Sequence, residues 1–243
     1  MPPSIRPTRT NSRQQLLDSL RAVGLIRVLT AIANRGYAVK RLIGRLLGRS
    51  PIDAVYSRRY FAAETDMTSP TAGDVVDCLM NQFKPTSVVD LGCGTAVYLR
   101  EFERHGIEVC GLEGSSHAIA DAKIHAGCIR QIDLTQPLDD PLANRQYDLV
   151  ISFEVAEHLP AAKADTFVEN VTRLGKTVVF SAAQPGQGGA DHVNEQPPQY
   201  WIDLFERRGF RHRPDRTQQL RDELARRNTV WWLQRNTIVL EAA

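Results

Sequence analysis

The sequence predicts an α/β fold: a parallel sheet with helices on both faces. Three observations carry this. Short apolar runs recur from Val88 onward, as SVVDL, IEVCGL, CIRQIDL, YDLVIS, TVVFSA and, much later, NTIVLEA. Helix-length segments separate them. The first run ends in an acid and two glycines, Asp90, Gly92 and Gly94. A strand buried on both faces reads as a continuous apolar run, and strands alternating with helices imply βαβ units in a three-layer domain. FERRGF, residues 205–210, reads as a helix ending at Gly209 and leading into a further, weakly marked strand. That makes seven strands. The chain has 243 residues, 42% of them hydrophobic, enough to bury the core of one large domain with an appendage.

The elements ahead of the first strand are helical in pattern. Residues 1–13 are rich in Pro, Arg, Ser and Thr, lack apolar periodicity and read as a disordered tail. Leu16, Leu17, Leu20, Val23, Leu25, Val28, Leu29 and Ile32 then recur at three and four, as do Val39, Leu42, Ile43, Leu46 and Leu47. Lys40, Arg41, Arg45 and Arg49 lie off the second stripe, so this short helix is basic and amphipathic. Ser50-Pro51 breaks it, VYSRRYF follows, and Thr68, Ser69 and Pro70 introduce a helix over roughly residues 71–82. The expected organisation is therefore a tail (1–13), a basic helical extension or lid (14–70) and the sheet domain (71–243).

Charge is divided unevenly. Residues 1–60 hold twelve Lys and Arg against Asp18 and Asp53, whereas the chain as a whole carries only +2. A basic arm of this kind attracts phosphates or an anionic membrane, or is simply a solvated helical face. For residues 37–49 two readings stand: peripheral contact with an anionic membrane, and a lid packed near Tyr56, Tyr60 and Phe61. The arm lacks interleaved aromatics and no RNA-binding module is recognisable, which argues against nucleic acid as a partner. No run of about eighteen apolar residues and no secretory leader pattern is present, so a cytoplasmic location is expected. Cys78, Cys93, Cys110 and Cys128 are widely spaced and read as ordinary thiols.

In an open α/β sheet the ligand lies outside the carboxyl ends of the strands, where glycine lets a ligand approach the backbone. A dinucleotide loop would need a third glycine at position 97, which is Val97. DLGCGTA instead resembles the DxGxGxG motif of class I S-adenosylmethionine-dependent methyltransferases, with Ala96 in place of the last glycine. The resemblance runs in order from about residue 87 to 210 and implies a Rossmann-like seven-stranded sheet with helices on both faces. It places Asp90, Gly92 and Gly94 along the methionine part of S-adenosylmethionine. Glu113, twenty-three positions after Asp90, is matched to the ribose hydroxyls and Asp133 to the adenine amino group. In YDLVISFEVAEHL it sets Ser152, Phe153 and Glu154 beside the sulfonium. An acid after a strand is also a common helix cap, so it is the three acids in register that carry the match.

Methyl transfer to oxygen or nitrogen needs in-line approach and often a base, for which His158 and His192 are the candidates. The bland alternatives are that His158 caps the following helix and His192 holds its loop. Glu154, Glu157 and His158 fall at i, i+3 and i+4, a spacing that on one helical turn aims all three to one side and suits magnesium, manganese or zinc. The spacing resembles that of ubiquinone-pathway O-methyltransferases and of small-RNA 2'-O-methyltransferases, the latter adding a histidine for which His192 would stand. EVxEHL also occurs in metal-free members of the family. Residues 181–201, rich in Gly, Pro and Gln, read as an acceptor-side loop offering Gln184, His192, Asn194 and Glu195, with Tyr200 and Trp201 as an aromatic wall. EVAEHL and HVNEQ together resemble a set of bacterial methyltransferase-domain proteins. The expected function is methyl transfer to an oxygen, secondarily a nitrogen, of a small or lipid-linked metabolite. A metal-assisted RNA 2'-O-methyltransferase and a non-catalytic cofactor-binding scaffold are the alternatives. Oligomeric state is left open.

Overall fold

The computed structural model describes residues 36, 37, 39, 40, 42, 43, 46, 50–125, 127–139 and 145–243. The expected tail and the first helical pattern, 16–32, lie outside the described residues. Among those described, seven strands form one sheet: β1 (Ser87–Leu91), β2 (Glu108–Glu113), β3 (Ile129–Gln131), β4 (Leu149–Phe153), β5 (Thr177–Ser181), β6 (Phe210–His212) and β7 (Ile238–Ala242). Their order is β3-β2-β1-β4-β5-β7-β6. The first five pair in parallel, and β7 runs antiparallel to both β5 and β6.

Eight helices accompany the sheet among the described residues beyond 50: α1 (Pro51–Val55), α2 (Arg58–Phe83), α3 (Val97–Arg104), α4 (Ser116–Asp121), α5 (Ala164–Arg173), α6 (Pro198–Glu206), α7 (Pro214–Arg226) and α8 (Trp231–Asn236). Alternate strand residues feed opposite faces. Val89, Leu91 and Val150 pack with Phe167 and Val171 of α5 and Trp201 and Phe205 of α6. Val88, Leu149, Ile151 and Val239 pack with Val75 and Leu79 of α2, Leu99 and Phe102 of α3, Leu220 of α7 and Leu233 of α8. Full burial of each such side chain is worth about 1.5–3 kcal/mol. The chain moves outward from β1 through β2 to β3, then returns to β4 and β5. The strand order therefore reverses between β1 and β4, and their carboxyl ends open a crevice there.

Two expected boundaries differ. The helix expected from residue 71 begins instead at Arg58 and passes through Pro70. A mid-helix proline costs about 3 kcal/mol. Both ends of α2 are fixed against that cost: Ser57 caps the Tyr60 amide, and the last turns bury Val75, Val76 and Leu79. The helix expected to follow His158 begins at Ala164, after two single 3-10 turns at Ala156–His158 and Ala161–Lys163 separated by Pro160. In the basic helix, the described stripe residues Val39, Leu42, Ile43 and Leu46 are 54, 57, 49 and 77% exposed, and Leu47 lies outside the described residues. Residues between 50 and 68 roof the crevice. No helix among the described residues is long and apolar enough to cross a membrane.

Candidate active site

The crevice is a cavity of about 680 Å³, and all seven expected cofactor contacts line it: Asp90, Gly92, Gly94, Glu113, Asp133, Phe153 and Glu154. Gly92 has φ +80, and a Cβ there would lie 2.4 Å from Val155 Cγ2. Gly94, at φ +55, faces open space on the side where a Cβ would stand. Ala96, where the motif's last glycine is replaced, also holds a left-handed conformation, φ 60 and ψ 36, and is buried at the start of α3. An L-residue there costs about 1–2 kcal/mol. The burial of its methyl offsets part of this.

Glu113 ends β2 almost buried. Its Oε2 accepts from the Gly94 amide and its Oε1 from the Ser115 amide, each at 2.8 Å. Burial pushes its pKa up, against the pull of those amides. A carboxylate has about four lone-pair sites, so each oxygen keeps capacity for another donor. Asp90 lies in β1 beneath it, and burial, then the Glu113 charge, raise its pKa well above the usual range. Asp133 follows β3 with Oδ1 held by the Thr135 amide and hydroxyl at 2.9 and 2.7 Å.

The roof is tied to this end. Asp53 of α1 accepts from the Ser115 and Ser116 hydroxyls at 2.7 Å each, and Ile52 packs where Gly114 has no side chain. Tyr56, Tyr60 and Phe61 line the cavity from above, with Tyr98, Phe153 and Trp232 completing its aromatic lining. The wall expected from Tyr200 and Trp201 is not there. Trp201 is buried against Phe180, ring centroids 5.4 Å apart, because its face of α6 is the one that meets the sheet.

The other end gathers titratable groups. Glu154, expected beside Glu157 and His158 on one turn, has φ 55 and precedes the 3-10 turn. Its carboxylate accepts from Gln187 at 2.7 Å and from Asn236 at 3.1 Å, so it stands apart from the cluster that Glu157 does form. Glu157, His158 and His192 bring ligand atoms within 4.8 Å of one another. The His158 and His192 rings meet edge to face at 4.9 Å. Glu157 is wholly buried, and neither carboxylate oxygen accepts a well-formed hydrogen bond. Burial, then the Glu154 charge, raise its pKa well above normal. His192 Nδ1 lies 3.0 Å from Glu195 Oε1. Burial raises the Glu195 carboxyl, but the bonds from His192 and the Gly186 and Gly188 amides outweigh it and hold the group below its ordinary value. A buried carboxylate beside two imidazoles, with His192 Nε2 4.0 Å from Glu157 Oε1, is a donor set that fits a divalent cation. His158 lines the cavity, whereas Glu157 and His192 stand behind it.

Two residues here were not singled out as site residues from the sequence. The Tyr56 hydroxyl donates to Asp191 Oδ2 at 2.8 Å and lies 2.9 Å from His158 Nδ1. The only sequence signals are the aromatics of VYSRRYF and the acid just before His192.

Residues 89–177 match the family model described as Methyltransferase domain. The chain is 30% identical over 139 residues to the ubiquinone biosynthesis O-methyltransferase of Paramagnetospirillum magneticum, which covers 55% of this chain and 51% of that protein. It spans about half the length, or less, of the curated relatives it matches. The structure is similar to Streptomyces venezuelae DesVI (TM-score 0.54, 16% identity, 78% of this chain and 97% of that one). It is also similar to human N-acetylserotonin methyltransferase in complex with S-adenosylmethionine (TM-score 0.55, 14% identity, 79% and 59%). At such identities the likeness is one of fold. Residues 89–177 thus match a methyltransferase-domain model, and the sheet that contains them shares its fold with these two methyltransferases.

Proposed function

We propose that this protein transfers the methyl group of S-adenosylmethionine to an oxygen, secondarily a nitrogen, of a small or lipid-linked metabolite. One observation carries the reading: the strand-end acids and glycines of the motif line one cavity whose far end reaches His158. The bound cofactor supplies a methyl group activated on a sulfonium. Gly92 and Gly94 let it approach the backbone, Glu113 offers its remaining lone pairs to the ribose hydroxyls, and Asp133 takes the adenine amino group. Phe153 and Glu154 flank the methionine portion. The aromatic lining excludes water from the reacting end and favours an acceptor with an apolar body. The O-methyltransferase names of the curated relatives support oxygen as the acceptor atom.

His158, which lines the cavity, accepts the acceptor's proton, with His192 the second candidate. In the metal-assisted form of the reading, Glu157, His158 and His192 would hold a divalent cation, which would supply Lewis acidity at the acceptor oxygen. Chelation separates the two forms. Turnover that survives exhaustive chelation leaves the imidazole as base, and reversible loss assigns the cation. The cofactor reading itself is tested by calorimetric titration with S-adenosylmethionine together with release of S-adenosylhomocysteine. Binding without release in any extract makes the protein a scaffold.

A second reading concerns residues 37–49. The exposure of Val39, Leu42, Ile43 and Leu46 favours peripheral contact with an anionic membrane, since apolar burial and basic charge add in such binding. Flotation with anionic but not neutral vesicles, lost in Leu42→Glu, is the expected result. No flotation at low salt ends this reading.

A further inference from the structure

The Tyr56 hydroxyl has one proton, and the short bond to Asp191 Oδ2 at 2.8 Å uses it. Towards His158 Nδ1, 2.9 Å away, the phenol oxygen is therefore an acceptor. A second acceptor faces the same nitrogen, the Asp191 carbonyl oxygen at 3.4 Å, which cannot donate at all. Two independent acceptors on one ring nitrogen require that it carry the proton. In a neutral imidazole the lone pair is then on Nε2. The ring is held in this pose by edge-to-face packing on Tyr56, centroids 5.6 Å apart, and on His192.

The acceptors are themselves fixed. Asp191 is fully buried in a left-handed conformation, φ 61, and the amides of Val193 and Asn194, two and three residues on, both donate to the Glu157 carbonyl at 2.9 Å. Tyr56 is fixed from the other end of the cavity. Its carbonyl accepts from His117 Nδ1 at 3.0 Å, and the preceding helix α1 is anchored through Asp53 to Ser115, whose amide donates to Glu113. Tyr56 lies 102 positions before His158 and 33 positions ahead of the matched domain.

We infer that Tyr56 is a positioning residue: with Asp191 it forms a relay, His158 Nδ1–H to the Tyr56 oxygen and the Tyr56 hydroxyl to the Asp191 carboxylate, that sets the His158 tautomer and presents its Nε2 lone pair. The use of that lone pair in methyl transfer rests on the function proposed above. The tautomer does not. An orienting partner of this kind commonly changes activity or metal affinity by about 10–100-fold.

Long-range proton–nitrogen correlation spectra of the histidine side chains in the full-length chain test the relay without any acceptor substrate. The expected result is a pure Nδ1–H tautomer for His158, assigned by its loss in His158→Gln, that becomes mixed in Tyr56→Phe. An Nε2–H tautomer in the native chain overturns the inference, and so does a His158 signal that Tyr56→Phe leaves unmoved. Tyr56→Phe should also lower kcat by about 10–100-fold with an unchanged dissociation constant for S-adenosylmethionine. A shifted tautomer with unchanged kcat upholds the relay and overturns the role given to His158 in turnover.

Discussion

The two ends of the cavity are built by different means. The end lined by Gly92, Gly94, Glu113 and Asp133 uses backbone conformation and acids at successive strand ends, and the contacts of its central acid are short in sequence: Glu113 reaches Gly94, 19 positions away, and Ser115, two away. The end around His158 uses side chains brought from afar. Tyr56 reaches Asp191 across 135 positions, and Asn236 reaches Glu154 across 82. The first end is a property of the sheet. The second exists only when the roof, the loop after β5 and α8 are all in place, so substitutions at the two ends should separate cofactor binding from turnover.

The largest separation is expected at His158. His158→Ala should lower turnover by about a hundredfold to ten-thousandfold while cofactor affinity stays within twofold, measured by initial rates and calorimetry. Normal turnover in both His158→Ala and His192→Ala would remove the base from the account and leave positioning alone.

Gly92→Ala should act on the other end, and on folding itself. The new methyl meets Val155 Cγ2 at 2.4 Å on a backbone of φ +80. A loss of about 2–4 kcal/mol of stability is expected from overpacking and strain together, read from denaturant unfolding. Gly94→Ala, with open space around its Cβ, should keep more of that stability and still lose cofactor affinity. Equal destabilisation by the two would contradict the division of labour between them.

Glu113→Ala should weaken S-adenosylmethionine binding by about 1.5–3 kcal/mol, the scale of hydrogen bonds to a charged group. An unchanged dissociation constant would place the ribose elsewhere.

How much of each end was legible follows from the same contrast. SVVDL and YDLVIS are continuous apolar runs because β1 and β4 are buried on both faces, and an acid or glycine just past a strand announces the crevice. The weakly marked strand β6 has three residues, too short for a pattern. Pro70 pointed to a helix start because tertiary packing, not local propensity, carries α2 through it. Trp201 pointed to the cavity by composition alone, and the face of α6 that meets the sheet decided otherwise. Tyr56 and Asp191 left no periodic trace, since nothing local relates residues 135 positions apart.

The smallest effect should come from the amino ends of β1 and β4, opposite the cavity. Asp148 accepts from the Thr86 amide at 2.8 Å, from its hydroxyl and from the Ser87 amide, and these bonds hold its carboxyl below its ordinary value of 3.8. A depressed folded-state pKa stabilises the fold above the unfolded value and loses that stabilisation as pH falls through the folded one. Asp148→Asn should therefore melt below the native chain at pH 7, with the gap closing below about pH 4 and kcat unchanged at both ends of the comparison. A gap that persists into acid would assign the loss to geometry rather than charge.

The function proposed is methyl transfer to an oxygen of a small or lipid-linked metabolite. Its most direct test is mass spectrometry of metabolites and RNA from cells with and without the gene, fed isotope-labelled methionine, with the His158→Ala chain as control. The account predicts a labelled methyl on an oxygen of a small or lipid-linked molecule that vanishes without the gene and in the His158→Ala control. A gene-dependent label found only on RNA, or no gene-dependent label at all, would contradict it.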